Sequence, residues 1–220
     1  MTAIPILYQD NNILAVNKPA GIPVQKDKTG ITPLLTEMRE ALDTPIYLVH
    51  RLDLPVSGVV LFALTKEAQK NLSSAFQSGQ IAKNYLAITR FRPKEKSGEL
   101  HHFIQKNGRV HKAFVSQDKS AGAKVITSYK LVGESTNLFL LEVRPKGGKY
   151  HQIRAQLADM GCPIRGDVKY GDKRTNRTPG INLHAHRITF QHPISGTILS
   201  VEAPVPDRPE WKAFENTSYL

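Results

Sequence analysis

The string His50-Arg51-Leu52-Asp53 sets one carboxylate beside one guanidinium, and Ser57-Gly58 and the apolar run Val59-Val60-Leu61-Phe62-Ala63-Leu64 follow it. The spacing predicts a turn that leads into a buried strand. An aspartate held there sits at the edge of a partly dry interior with a cation nearby. It can stay ionised and act as a nucleophile. Such a group needs a substrate brought to it, and the remaining composition indicates the kind.

Lys and Arg total 30 against 19 Asp and Glu in 220 residues, a formal charge of +11. An excess of that size points to a phosphate-backbone partner, or less often to an anionic membrane. With 40% hydrophobic and 22% charged residues the chain reads as a soluble, folded enzyme, large enough for one domain or two small lobes sharing a core. The single cysteine, Cys162, excludes an intrachain disulfide and an all-cysteine metal site. It lies in the apolar turn Met160-Gly161-Cys162-Pro163-Ile164 and reads as a packed side chain. No apolar run approaches the roughly 20 residues of a membrane span. The start, Met1-Thr2-Ala3-Ile4-Pro5, lacks the basic and apolar regions of a signal peptide. A cytoplasmic protein without a membrane partner is expected.

The elements that must position Asp53 follow from periodicity. Ile13 to Val16 reads as a strand that ends at the turn Asn17-Lys18-Pro19-Ala20-Gly21. A helix is expected from Thr32, with Thr32 as N-cap, Pro33 in the first helical position and Leu34, Leu35, Met38 and Leu42 on its apolar face. Tyr47 to Val49 predicts a short strand and Val59 to Leu64 a buried one. A second helix is capped by Thr65, buries Ala68, Leu72, Ala75 and Phe76, and stops at Gly79. Lys83 to Thr89 alternates as a half-buried strand, with Tyr85, Ala87 and Thr89 on one face. Arg92 to Gly122, rich in Lys, Ser, Gly and His, reads as an extended surface hairpin or loop. Its basic residues could track a phosphate backbone or simply face solvent. Val125 to Val132 and Leu138 to Val143 predict antiparallel strands. A third helix runs from about His151 to Gly161 with Ile153, Leu157 and Met160 on one face, and the last strands are Leu183 to Phe190 and Thr197 to Val201. Hairpins outnumber strand–helix–strand crossovers, so the fold is expected to be α+β, a mixed but largely antiparallel sheet with flanking helices and loops.

Five segments stand in a telling order: Lys18-Pro19-Ala20-Gly21, His50-Arg51-Leu52-Asp53, Lys83-Asn84-Tyr85-Leu86-Ala87, His151-Gln152-Ile153-Arg154 and Leu183-His184-Ala185-His186-Arg187. Together they resemble the RluA-type family of pseudouridine synthases over nearly the whole chain, from about Asn11 to Pro204. The resemblance implies a cofactor-free isomerisation of uridine in RNA. The bond from ribose to the base nitrogen breaks, the uracil turns, and it rejoins through carbon 5. Asp53 matches the family's catalytic aspartate, Tyr85 its active-site tyrosine, and Arg154 the arginine that pairs with the aspartate. From periodicity alone Tyr85 reads as ordinary packing and Arg154 as a surface arginine on a helix. Arg51 is implied in base displacement or a phosphate contact, and His50, Lys18, Lys83, Lys146, Lys149, His151 and Leu183 in holding substrate RNA. Base extrusion follows on physical grounds, because a base cannot rotate inside a stack.

The chain departs from the family pattern at two places. Val56 stands where a threonine is common, and Lys149-Tyr150 where Arg-Thr is usual. No separate small RNA-binding domain is expected ahead of the catalytic one. The expectation is one catalytic domain over residues 1–220, divisible into two lobes around a central cleft, acting as a monomer on transfer or ribosomal RNA and not on DNA. The histidines of His101-His102 and His184-Ala185-His186 have no Cys or acidic ligands at suitable spacing, so neither metal nor cofactor is expected. The competing readings are a catalytically silent RNA-binding or RNA-folding protein and, more remotely, a glycosidic-bond hydrolase.

Overall fold

The apolar run after Ser57 behaves as a strand covered on both faces should. In the computed structural model, which describes residues 4–217, strand β4 spans Ser57–Ala63 and every residue of it is buried. The chain divides into two compact units, one formed by residues up to Lys83 with Ala185–Pro204, the other by Asn84–His184 with the segment from Val205.

In the first unit β1 (Ile6–Gln9) pairs with β2 (Ile13–Lys18), and β2 pairs antiparallel with β4 from Ile13↔Ala63 to Lys18↔Gly58. The two-residue β3 (Tyr47–Leu48) pairs with β4 as well. On the other side β4 neighbours β10 (Leu183–Gln191), which carries β11 (Ile198–Glu202) antiparallel to it. Alternate β4 residues Val59, Leu61 and Ala63 meet Ile13 and Ala15 of β2, Ile188 and Phe190 of β10, and Ala68 and Leu72 of helix α2 (Lys66–Gln77) in one core. Thr65 caps α2 as expected, its Oγ1 accepting from the Ala68 N–H at 3.1 Å.

Helix α1 (Leu34–Leu42) begins two residues later than Thr32, and its N-cap is Pro33 with extended backbone and no capping side chain. The reason is tertiary. The Leu34 and Leu35 N–H groups donate to the carbonyls of Pro23 and Val24 at 2.8 and 3.1 Å, so the orphan donors of the first turn are already satisfied by the preceding loop.

In the second unit the strands run in the order β5 (Ala82–Thr89), β9 (Leu138–Lys146), β8 (Ala123–Ser135), β6 (Ser97–Asn107) and β7 (Lys112–Ser116), each antiparallel to its neighbour. The expected surface hairpin over 92–122 is therefore β6 and β7, which turn at residues 108–111, and a 3₁₀ turn at Lys119–Ala121 leads from β7 into β8. The β5 strand is not half-buried throughout, because Leu86 to Thr89 are all buried. Leu86 and Ile88 pack on Leu140 of β9 and on Trp211 and Phe214, brought in by the short helix α4 (Pro209–Lys212). The loop between β8 and β9 is shorter than the sequence suggests, and a bulge between Leu131 and Gly133 absorbs the difference. Helix α3 (Gln152–Asp159) lacks the single apolar face read from its sequence. All six residues from Gln152 to Leu157 are buried. No helix among the described residues is long and apolar enough to cross a membrane.

Two glycines give a test of this packing. Gly58 has φ +114°, and a Cβ there would lie 2.3 Å from the Ala185 carbonyl oxygen of β10, whereas Gly30 has φ +74° and open space around it. Gly30→Ala should cost about 1–2 kcal/mol from the left-handed backbone alone. Gly58→Ala should cost about 3 kcal/mol or more, since clash with backbone adds to strain. Urea unfolding of both variants checks the difference.

Candidate active site

Asp53 sits half-buried on the loop from β3 to β4, where its carbonyl accepts the Val56 N–H at 3.0 Å and closes a turn. Arg51 beside it is exposed, and its guanidinium has no hydrogen-bond or ion-pair partner among the described residues. The brace of this loop is Lys18. Its side chain is fully buried, and Nζ donates to the carbonyls of Pro19 at 3.0 Å, Ile22 at 2.9 Å and Leu54 at 3.2 Å. The Leu54 carbonyl also accepts from the Gly21 N–H at 2.9 Å. One ammonium thus joins the turn after β2 to the residue next to Asp53. Burial pushes the Lys18 amine down to about 7, and the Asp53 carboxylate opposes that shift. The family resemblance implies an RNA contact for Lys18. The structure corrects this, because Lys18 is sealed from solvent and its donors serve the protein's own carbonyls.

His50 is likewise turned inward. Its Nε2 accepts the Leu61 N–H at 2.8 Å and its ring stacks on Phe76 at 4.4 Å. Burial, then the Lys83 charge, pushes it down to about 3. A neutral ring with an occupied acceptor aligns the loop on β4; it does not present a cation to phosphate. Lys83 at the start of β5 is half-buried, and burial lowers its pKa.

In the second unit Tyr85 is partly exposed on β5, opposite Val143 of β9. The neighbouring Asn84 donates to Glu142 at 2.7 Å, an oxygen that Arg144 also engages at 2.8 Å. Arg154 is only 5% exposed, so it is no surface arginine. Its Nε and Nη2 donate to the two oxygens of Asp167 at 2.7 and 2.9 Å, a bidentate pair, and its guanidinium lies 5.0 Å above the Tyr170 ring. The Tyr170 hydroxyl accepts the Ala113 N–H at 2.7 Å, which leaves its proton for Nδ1 of His151 at 2.8 Å. His151 has φ +54°, stacks on Tyr150, and is pushed down to about 3 by burial and then by the charges of Arg154, Lys169 and Lys106. The expectation of a direct RNA contact at His151 is corrected on the same ground as at His50. Leu183, 3% exposed, is a core side chain as well. Lys146 and Lys149 are exposed; Lys146 reaches Glu99 at 3.1 Å. Of the residues expected to hold RNA, Arg51, Lys146 and Lys149 are therefore the exposed ones.

Polar residues hold α3 in place. Gln152 donates to the Ile126 carbonyl at 3.2 Å and the Thr127 hydroxyl at 3.0 Å, and accepts from the Lys149 N–H at 3.1 Å. Gln156 accepts from Thr127 at 2.7 Å and donates to the Leu100 carbonyl at 2.9 Å. Sequence reasoning missed Asp167 and Tyr170. A signal was present in Gly166-Asp167 and Tyr170-Gly171, where glycines bracket a carboxylate and an aromatic in a segment with no periodicity. No cluster of three or more His, Cys, Asp or Glu suited to a metal occurs among the described residues.

These buried bases set a pH dependence with one sign. His50 and His151 refuse protons that the unfolded chain takes up between about 6.5 and 3, and Lys18 does the same between 10.5 and about 7. The unfolded state binds more protons in each window, so these groups favour the folded state more as pH rises. Against wild type, His50→Gln should flatten the acid window and Lys18→Met the alkaline one, by about 1.4 kcal/mol per pH unit at most. Lys18→Met should also lose about 3 kcal/mol near neutral pH, because the carbonyls of Pro19, Ile22 and Leu54 lose their shared donor. Urea titrations across pH measure all three effects.

The sequence profile of the RNA pseudouridylate synthase family matches residues 12–159. The tRNA pseudouridine synthase C of Salmonella typhimurium is 32% identical over 221 residues, covering 91% of this chain and 85% of the relative. The ribosomal large subunit pseudouridine synthase C of Rickettsia bellii is 36% identical over 207 residues, covering 91% and 68%. The solved structure of human RNA pseudouridylate synthase domain containing 1 shares the fold, with a TM-score of 0.81 at 24% identity over 94% of this chain and 85% of that one. A profile that spans most of the chain, with relatives above 30% identity along nearly all of it, places the loop of Asp53 and the helix of Arg154 in one lineage: the chain belongs to the RluA-type family of RNA pseudouridine synthases, which are isomerases.

Proposed function

We propose that the protein isomerises specific uridines in structured RNA, transfer or ribosomal, with Asp53 as the catalytic carboxylate. The observation that carries this reading is the Asp53 loop itself: a half-buried carboxylate beside an exposed Arg51 whose guanidinium has no partner among the described residues, on a turn stiffened by the buried Lys18 ammonium. Breaking the bond between C1′ and N1 creates an electron deficit at the sugar, and a fixed carboxylate answers it as in other glycosyl chemistry. The uracil rotates, a bond forms between C1′ and C5, C5 loses its proton to solvent and N1 gains one. Atoms and electrons balance with no cofactor. Tyr85 stacks on the extruded base through its exposed portion and assists proton transfer with its hydroxyl. In the family's pattern the arginine at position 154 partners the catalytic carboxylate, and here both oxygens of Asp167 fix the direction of its guanidinium. Arg51, Lys146 and Lys149 contact phosphates. The relatives' names divide between transfer RNA and the ribosomal large subunit, which supports these two RNA classes for this chain. That substrate puts the enzyme in the cytoplasm, and the buried lone Cys162 is compatible with a reducing compartment.

Release of tritium from C5-labelled uridine in transfer RNA and in large-subunit ribosomal RNA tests the reading. Asp53→Asn and Asp53→Ala should lower the rate by roughly 10⁴-fold or more, the scale for losing a principal catalytic group, with RNA affinity retained. Conversion by either variant at the wild-type rate refutes the role of Asp53. RNA binding by a wild type that releases no tritium from either RNA would favour the silent binding protein, and free uracil among the products would favour a hydrolase.

A further inference from the structure

A second basic site occurs in the Asn84–His184 unit and shares no residue with the motifs above. Arg90, Arg165, Arg174, Arg177 and Arg208 line a cavity of about 510 Å³, with Glu210 as its carboxylate. Guanidiniums gathered this closely repel one another unless anions sit among them. Some are already neutralised. Arg90 pairs with the buried Asp172 at 3.1 Å, and Asp172 is fixed in turn by the Gly166 N–H at 2.6 Å. Arg165 pairs with Glu210 through Nη1, which also donates to Asn176 at 3.0 Å and Asn182 at 3.2 Å. Arg208 donates to the Pro179 carbonyl at 3.0 Å. Arg174 and Arg177 are exposed and have neither hydrogen bond nor ion pair among the described residues. The Nε of Arg165 is buried without a partner.

The loop that carries the two unpartnered arginines is nonetheless anchored. Asn176, between them, donates to the Gly180 carbonyl at 3.0 Å and to Asn182 at 2.9 Å. It also packs so tightly on Gly166 (φ +88°) that a Cβ there would lie 2.6 Å from its side chain. Arg174 and Arg177 thus project from a pinned loop toward a preformed concavity, where the hydroxyls of Thr175 and Thr178 add neutral donors. Planar forks in fixed positions match phosphate oxygens. The cavity is far larger than a single phosphate group needs.

We propose that this arginine pocket is a phosphate-binding site that holds backbone phosphates of the substrate RNA away from the target uridine. It thereby contributes affinity, and not chemistry. The inference rests on reading RNA as the substrate, and it adds to that reading a second anchoring point built by Arg174 and Arg177.

The test uses the protein and its variant Arg174→Ala/Arg177→Ala, whose lost side chains make no hydrogen bond or ion pair among the described residues. Binding of bulk transfer RNA and of large-subunit ribosomal RNA is measured across a salt series, and C5 tritium release is measured at saturating RNA. The expected result is affinity weaker by about tenfold at moderate salt, a log–log salt slope shallower by about one to two, as for two lost phosphate contacts, and an unchanged rate at saturation. Removing two other exposed charges, as in Lys66→Ala/Lys70→Ala, should move the slope less. Wild-type affinity and slope in the arginine variant, while the wild type converts uridine, overturn the proposal. So does an equal loss in the lysine variant. Calorimetry with pyrophosphate separates the other source of the same chemistry: pyrophosphate binding lost in the arginine variant, with RNA binding intact, assigns the pocket to a small anion and overturns the RNA assignment. Failure of the catalytic reading shows instead as a wild type that releases no tritium, which the binding measurements do not depend on.

Discussion

The arrangement around Asp53 depends on one buried ammonium. An isolated cation in a dry interior is costly, and Lys18 is tolerated because three carbonyls and the nearby carboxylate replace its water. Those carbonyls belong to two turns distant in sequence. Satisfying one charge therefore fixes the turn after β2 against the residue following Asp53. The same turn extends into the loop whose carbonyls start α1. Hydrogen bonds thus run from a helix N-terminus, through the turn after β2 and a buried lysine, to the residue following the candidate catalytic one.

The second unit applies the same rule with a different cation. Arg154 lies on a helix buried almost all round, where a lone guanidinium would be disfavoured, and the Asp167 carboxylate meets it on both oxygens. Gln152 and Gln156 hold that helix to strands β6 and β8 through Leu100, Ile126 and Thr127. The hydroxyl of Tyr170 joins β7 to His151. Polar groups, and not an apolar stripe alone, set the rotation of α3, and that rotation aims Arg154.

Much of the framework was readable from local pattern. The run Val59 to Leu64 announced a strand buried on both faces, Thr65 announced the cap of α2, and the hairpins announced an antiparallel sheet. The readings that failed share a cause. A threonine before a proline reads as a cap at Thr32, yet the first N–H groups of α1 donate to the carbonyls of Pro23 and Val24 instead. The family resemblance implies RNA contacts for Lys18, His50 and His151, yet the polar atoms of each are turned to the protein's own groups. Asp167 and Tyr170 went unnoticed because nothing periodic surrounds them.

The sequence by itself determined the elements, the antiparallel sheet, the strong positive charge and the order of motifs that marks the family, since these follow from residue type and short-range spacing. Tertiary structure alone decided which polar atoms meet. It turned Lys18 inward to three carbonyls, gave Arg154 to Asp167, and gathered arginines from positions 90 to 208 around one cavity. The physical reason is that periodicity records which side chains avoid water, a property of one segment, whereas a buried charge must be answered by a partner whose position along the chain local sequence does not encode.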